Sequence, residues 1–113
     1  MDAAFQAHVD AIAPEFRPLF DRLHGIVMAA HPDATLGLAY DMPTYRRGKR
    51  RLNLGVWKHG VSVYGWRRDN DGGFASRHLD LLSGKSTIRI RPRDAAGISD
   101  DEFLGLLGGA LEA

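Results

Sequence analysis

The strongest constraint on this chain is a change of hydrophobic period at His31-Pro32. Before it, apolar residues recur at helical spacing; after it, they alternate as in strands. Phe5, Val9 and Ile12 fall at i, i+4 and i+7, and Asp2 stands where a cap belongs, which predicts a short amphipathic helix ended by Ala13-Pro14. From Glu15, the positions Phe16, Leu19, Phe20, Leu23, Ile26, Val27 and Ala30 predict a second helix. Pro14 and Pro18 are tolerated at or near its first turn, and Pro32 stops it by pushing His31 out of the helical region.

Beyond Pro32 the spacing predicts a strand over Thr35–Tyr40, then Met42-Pro43 leading into Thr44–Arg47, then a turn at Gly48-Lys49. Arg50–Trp57 puts Leu52, Leu54 and Val56 on one face and Arg51, Asn53 and Trp57 on the other. A turn at His59-Gly60 leads to Val61–Arg67, with Val61 and Val63 opposed to Tyr64 and Trp66. Asp69–Gly73 reads as a polar loop, and Phe74–Leu82 as a short helix burying Phe74, Leu79 and Leu82. After Ser83-Gly84-Lys85, the alternation of Ser86–Pro92 predicts a strand with Ile88 and Ile90 inward and Thr87, Arg89 and Arg91 outward. Ser99-Asp100-Asp101-Glu102 is a capping box opening a helix with Phe103, Leu106, Leu107, Ala110 and Leu111 on its apolar side. Hairpin-linked strands with helices at the ends predict an α+β fold, an antiparallel sheet packed by N- and C-terminal helices on one face. The 113 residues suit a single domain, 1–113, able to bury roughly two-thirds of its unfolded surface.

Charge is segregated along the chain. Residues 46–93 hold 13 basic residues and three acids, Asp69, Asp71 and Asp80, whereas the flanks hold the other eleven acids against Arg17 and Arg22. A basic sheet beside acidic helices gives a polarised field that attracts anions. The absence of cysteine excludes disulfides, thiolate metal sites and cysteine nucleophiles. An N-terminus reading MDAAFQAHVD, with no stretch near 18 apolar residues, leads us to expect a cytoplasmic protein without a membrane partner.

Familiar catalytic patterns fail on inspection. Gly84-Lys85-Ser86-Thr87 copies the tail of a phosphate loop, but Leu79 stands where that loop needs glycine and the segment enters a strand. Gly60 to Tyr64 misses a nucleophile elbow because Tyr64 replaces its second glycine. Asp69, Asp71 and Gly72 resemble the start of a calcium loop, with Asp80 where its glutamate belongs. The histidines show no zinc-binding pair, and His24 and His31 read as structural. Tyr40, Asp41, His59 and Lys85 are acid or base groups without a nucleophile paired to them, so no catalytic residue is assigned and a non-enzymatic protein is expected.

Four segments carry a resemblance: Ala39-Tyr40-Asp41-Met42-Pro43-Thr44-Tyr45; Gly48-Lys49; Val56 to Tyr64, containing Lys58-His59 and Tyr64; and Gly84-Lys85-Ser86-Thr87-Ile88-Arg89-Ile90. With His31-Pro32-Asp33-Ala34 at a helix end, the chain resembles the YdhG-like family of small bacterial proteins from about Phe16 onward. Ile90 stands where that family tends to have phenylalanine. The resemblance implies a frataxin-like fold and, for some members, a role as an intracellular iron chaperone, so iron is an expected cargo. Iron without cysteine needs clustered carboxylate or imidazole ligands, and Asp2, Asp10, Glu15 and Asp21 are too widely spaced to form a dense ridge.

The residues themselves support a second expectation, a binding module for an anionic small molecule or nucleic acid. Tyr40, Met42, Pro43, Arg51, Trp57, Tyr64, Trp66, Lys85, Thr87, Arg89 and Arg91 are the candidate ligand-binding residues. Most sit on outward strand positions where rings offer stacking area and arginine forks bind carboxylate or phosphate. Met42 and Pro43 also read as a core filler and a bend. A sequence pI near 8.2 is not by itself a nucleic-acid footprint, so nucleic acid is the weaker form of this expectation, and a protein partner is a further one.

Overall fold

The computed structural model describes residues 2–113. Helices α1 (Ala3–Asp10) and α2 (Arg17–Ala30) precede strands β1 (Thr35–Ala39), β2 (Met42–Arg47), β3 (Arg50–Trp57) and β4 (Gly60–Tyr64). There follow α3 (Phe74–Arg77), β5 (Leu82–Ser83), β6 (Thr87–Ile90), α4 (Pro92–Ala95) and α5 (Asp100–Ala110). The six strands form one antiparallel sheet in the order β1-β2-β3-β4-β6-β5. The fold is α+β, with an open sheet, as the period change predicts. No described helix is long and apolar enough to cross a membrane.

The predicted caps operate. Asp2 accepts from the Phe5 amide at 2.9 Å, and Ser99 and Glu102 exchange bonds to close the α5 box. Tyr45, Leu52, Leu54, Val61, Val63, Ile88 and Ile90 are fully buried on one face of the sheet, in a single cluster with Phe5, Phe20, Leu23, Phe103, Leu106 and Leu107 from the helices. Most polar groups inside this layer are matched, His8 Nδ1 being buried without a partner. Arg22 donates to Asp100, to the Ala95 carbonyl and to the Ile98 carbonyl, and lies 4.8 Å over the Phe103 ring. His31, closing α2, donates from Nε2 to the Gly108 carbonyl at 2.8 Å, serving one of the free acceptors at the end of α5. His24 Nδ1 and the Tyr45 hydroxyl are 2.8 Å apart among Phe5 and Phe20. Burial lowers the His24 pKa despite nearby Asp21 and raises that of Tyr45, so both are held neutral.

Three expected element boundaries are corrected. The helix expected over Phe74–Leu82 stops at Arg77; Leu79–Leu81 is a 3-10 turn, and Leu82 enters the sheet opposite Ile88. Pairing across the Gly84 turn, whose φ is 71°, captures Leu82, leaving Leu79 exposed and Leu81 buried. The loop before α3 is shaped by Asp71, whose two carboxylate oxygens accept from the Gly73 and Ala75 amides. The third strand-to-strand turn is Lys58-His59, while Gly60 already pairs with Trp57. A Cβ on Gly60 would lie 2.0 Å from the Ile90 carbonyl oxygen, so glycine there lets β6 approach. Finally, β4 ends at Tyr64 because Gly65, at φ 88°, breaks the alternation. A Cβ on Gly65 would meet the Arg51 carbonyl oxygen at 2.2 Å.

Candidate functional site

The second face of the sheet carries the outward positions of the same strands. On β3 these are Arg51, Asn53, Gly55 and Trp57; the ladders set Thr44 and Tyr64 against Asn53, Ser62 against Gly55, and Arg46 against Arg51. The small Gly55 makes room for its neighbours: a Cβ there would sit 2.7 Å from Met42 Sδ and 3.4 Å from Tyr64 Cε2. Asn53 donates to the Thr44 hydroxyl at 2.7 Å, and Thr44 donates on to the Met42 carbonyl, which satisfies the buried polar floor.

The β1–β2 connection builds one wall. Its two central residues, Tyr40 at φ 53° and Asp41 at φ 61°, adopt the left-handed conformation that a tight hairpin of primed type demands. A tyrosine there is strained, and its side chain is 80% exposed, so the turn presents a ring to solvent at a cost in backbone energy. Arg51 lies 5.8 Å from the centroid of that ring. Tyr40, Met42 and Tyr64 then line a groove of about 470 Å³ with Arg46, Lys49, Arg50, Arg51 and Asn53.

The cations of this groove differ from the five arginines that are paired. Arg17, Arg22, Arg47, Arg67 and Arg77 each reach a carboxylate within 4 Å. Arg46, Lys49, Arg50 and Arg51 reach none among the described residues. Moreover, none of the six strands contains an Asp or Glu. Four neighbouring unneutralised cations raise the local potential and favour an anion that can bind two guanidinium forks.

Of the residues expected to bind ligand, the fold brings Tyr40, Met42, Arg51 and Tyr64 into this groove. It gathers Trp57, Arg89 and Arg91 at the other end of the face, with the two guanidinium groups 4.9 and 5.5 Å from the indole centroid. Thr87, opposite Ser83, is half-buried on the open face but lines neither cluster. Three residues fall elsewhere. Pro43 is buried on the helix-covered face, between Met42 and Thr44 in strand alternation. Trp66 is 8% exposed, its indole N–H donating to the Ser86 carbonyl, because Gly65 rotates it off the face. Lys85 lies exposed in the β5–β6 turn, where its carbonyl accepts from Arg68. Arg46, Lys49 and Arg50 were missed by the motif reading. Their signal was the dense basic run around Gly48, which a two-residue loop between Arg47 and Arg50 folds back on itself.

Of the carboxylates considered for iron, Asp2 caps α1 and Asp10 and Asp21 approach Arg17, while Glu15 reaches no cation within 4 Å among the described residues; of the acids that open α5, Asp100 binds Arg22 and Glu102 binds Arg77 and His78. Hydrogen bonds from His78 and then Arg77 hold the Glu102 carboxyl below the usual carboxylate range. No three His, Asp or Glu side chains converge among the described residues, so the donor set does not fit a preformed iron site. Comparison with family models, with curated proteins and with solved structures finds no match for this chain.

Proposed function

We propose that this protein is a non-enzymatic binding module that holds an anionic ligand on the open face of its sheet, in the groove between Tyr40 and Tyr64. The supporting observation is the group of unpaired cations Arg46, Lys49, Arg50 and Arg51 beside the exposed Tyr40 ring and the half-buried Tyr64 ring. Guanidinium groups neutralise and orient a phosphate or carboxylate, while Tyr40 and Tyr64 offer flat surface to a planar portion of the same ligand. The resemblance to YdhG-like proteins, the frataxin-like arrangement and a cytoplasmic setting remain part of this proposal. Iron as cargo is the reading it displaces, because most of the acids that reading needs are in caps and ion pairs and no three His, Asp or Glu side chains converge among the described residues.

Thermal shift and calorimetry with inorganic pyrophosphate, AMP and a dicarboxylate, at 20 and 200 mM NaCl, test the proposal. Stabilisation that weakens with salt and disappears in an Arg46→Gln/Arg51→Gln variant is expected. Stabilisation by ferrous iron alone, with none by any anion, overturns it.

A further inference from the structure

We infer that the ligand of the open face is single-stranded nucleic acid, laid along β3 from the Arg51 end to the Trp57 end. This rests on the reading of the Tyr40–Tyr64 groove as an anion site and goes beyond it. The new observation is that the groove is only one end of a track. Arg51 and Trp57 are six residues apart on β3, about 20 Å at roughly 3.3 Å per residue. At the Trp57 end, a second groove of about 300 Å³ is lined by Trp57, Arg89, Arg91 and Arg93 together with Asp80 and Asp94. Arg89, Arg91 and Arg93 reach no carboxylate within 4 Å among the described residues, although Asp94 accepts from the Arg91 backbone amide.

Both ends hold an aromatic ring with guanidinium groups that reach no carboxylate within 4 Å, although the Trp57 end also carries Asp80 and Asp94. Between them lie Gly55 and Ser62, both buried, with Met42 and Tyr64 packed beside Gly55, and β3 and β4 contribute no carboxylate. A mononucleotide or small dicarboxylate occupies one end and leaves the other without a role. A ligand with phosphates at regular intervals and a planar group on each repeat meets both. At roughly 3.4 Å per stacked base, 20 Å corresponds to about six nucleotides, within the range of about 4–16 that single-strand-binding surfaces cover. Exposed rings favour single strands over duplex, because only unpaired bases offer a free face for stacking. The indole N–H of Trp57 is buried without a hydrogen-bond partner, so this tryptophan is held at the face by packing and cation contacts rather than by an anchoring bond.

Fluorescence anisotropy of the full chain with labelled 12-mers of dT and of U tests the inference, with AMP, pyrophosphate, a 12-base-pair duplex and poly-glutamate as competitors. We expect binding that weakens about 50-fold between 50 and 200 mM NaCl, as for four neutralised phosphates on a single strand. Tyr40→Ala in the first groove and Trp57→Ala in the second are each expected to weaken it about tenfold or more, with Trp57→Phe restoring most of the loss. Arg89→Gln, which leaves every buried side chain in place, provides a second test of the far end. Should AMP bind as tightly as the 12-mers while Arg89→Gln and Trp57→Ala change nothing, the track is overturned and the single groove stands. Equal competition by duplex or poly-glutamate overturns the stacking argument and with it the inference. If no anion binds at all, the groove itself falls.

Discussion

The two faces of the sheet are built from the same strands and obey different rules. On the helix-covered face, Leu52, Leu54, Val61, Val63, Ile88 and Ile90 are fully buried, and Arg22 among the helices is matched by three acceptors. On the open face, Arg46, Arg51 and Arg89 are exposed with no acid on any strand, and a strained turn displays Tyr40. Mutual repulsion among unpaired cations and a left-handed tyrosine both oppose folding. The first face thus accounts for stability, and the second carries features that stability does not explain, which is the physical reason for locating function there.

The sharpest break of this comparison is Phe103→Ala. Phe103 is fully buried against Phe74 and beneath Arg22, so truncation is expected to remove about 3–5 kcal/mol in denaturant unfolding. Gly109→Ala comes next. Its Cβ would lie 1.8 Å from the Asn70 carbonyl oxygen, forcing α5 away from the preceding loop at a cost of about 1–3 kcal/mol. Tyr45→Phe keeps the ring and deletes only the bond to His24, an expected loss of about 1 kcal/mol.

That pair also sets a pH dependence. His24 has a lowered folded-state pKa, chiefly from burial, so the unfolded chain binds the proton more readily. The stability it contributes is intact above the unfolded value of about 6.5 and falls as pH drops below it. Melting temperature measured from pH 8 to pH 5 should show this decline, and a His24→Gln variant should flatten it. Glu102 acts in the same direction at lower pH: its carboxyl is depressed by His78 and Arg77, so its contribution is lost as pH falls through the carboxylate range.

The smallest effect on stability belongs to the open face. Arg46→Gln, Lys49→Gln or Arg51→Gln should each change unfolding free energy by no more than about 0.5 kcal/mol, while the combined variant loses anion binding at low salt. A combined variant that unfolds would break the comparison, since it would make these cations structural.

The legible parts of the molecule were those governed by local rules. The helices containing Phe5, Phe20 and Phe103 follow from 3.6-residue spacing, and the Ser99 box from cap chemistry alone. Arg51 and Trp57 were readable as sharing a face because alternation along one strand is local. Three features were not readable. The Tyr40-Asp41 hairpin turn lacks the glycine or asparagine that normally announces left-handed backbone. Trp66 follows strand parity in the sequence but not in space, since Gly65 turns the chain. β5 is two residues long and exists only because β6 offers it an edge.

The chain by itself determined the α+β class, the change from helices to hairpins at Pro32, the apolar face and the basic central segment, because periodicity, proline and charge act over a few residues. Only the tertiary structure decided which cations find carboxylates. Arg22 meets Asp100 across 78 positions, and Arg77 meets Glu102 across 25, whereas Arg46 and Arg51 meet each other across a ladder. Pairing of charges depends on strand order and helix docking, which are non-local, and for that reason the open face became visible as a site only once the chain was folded.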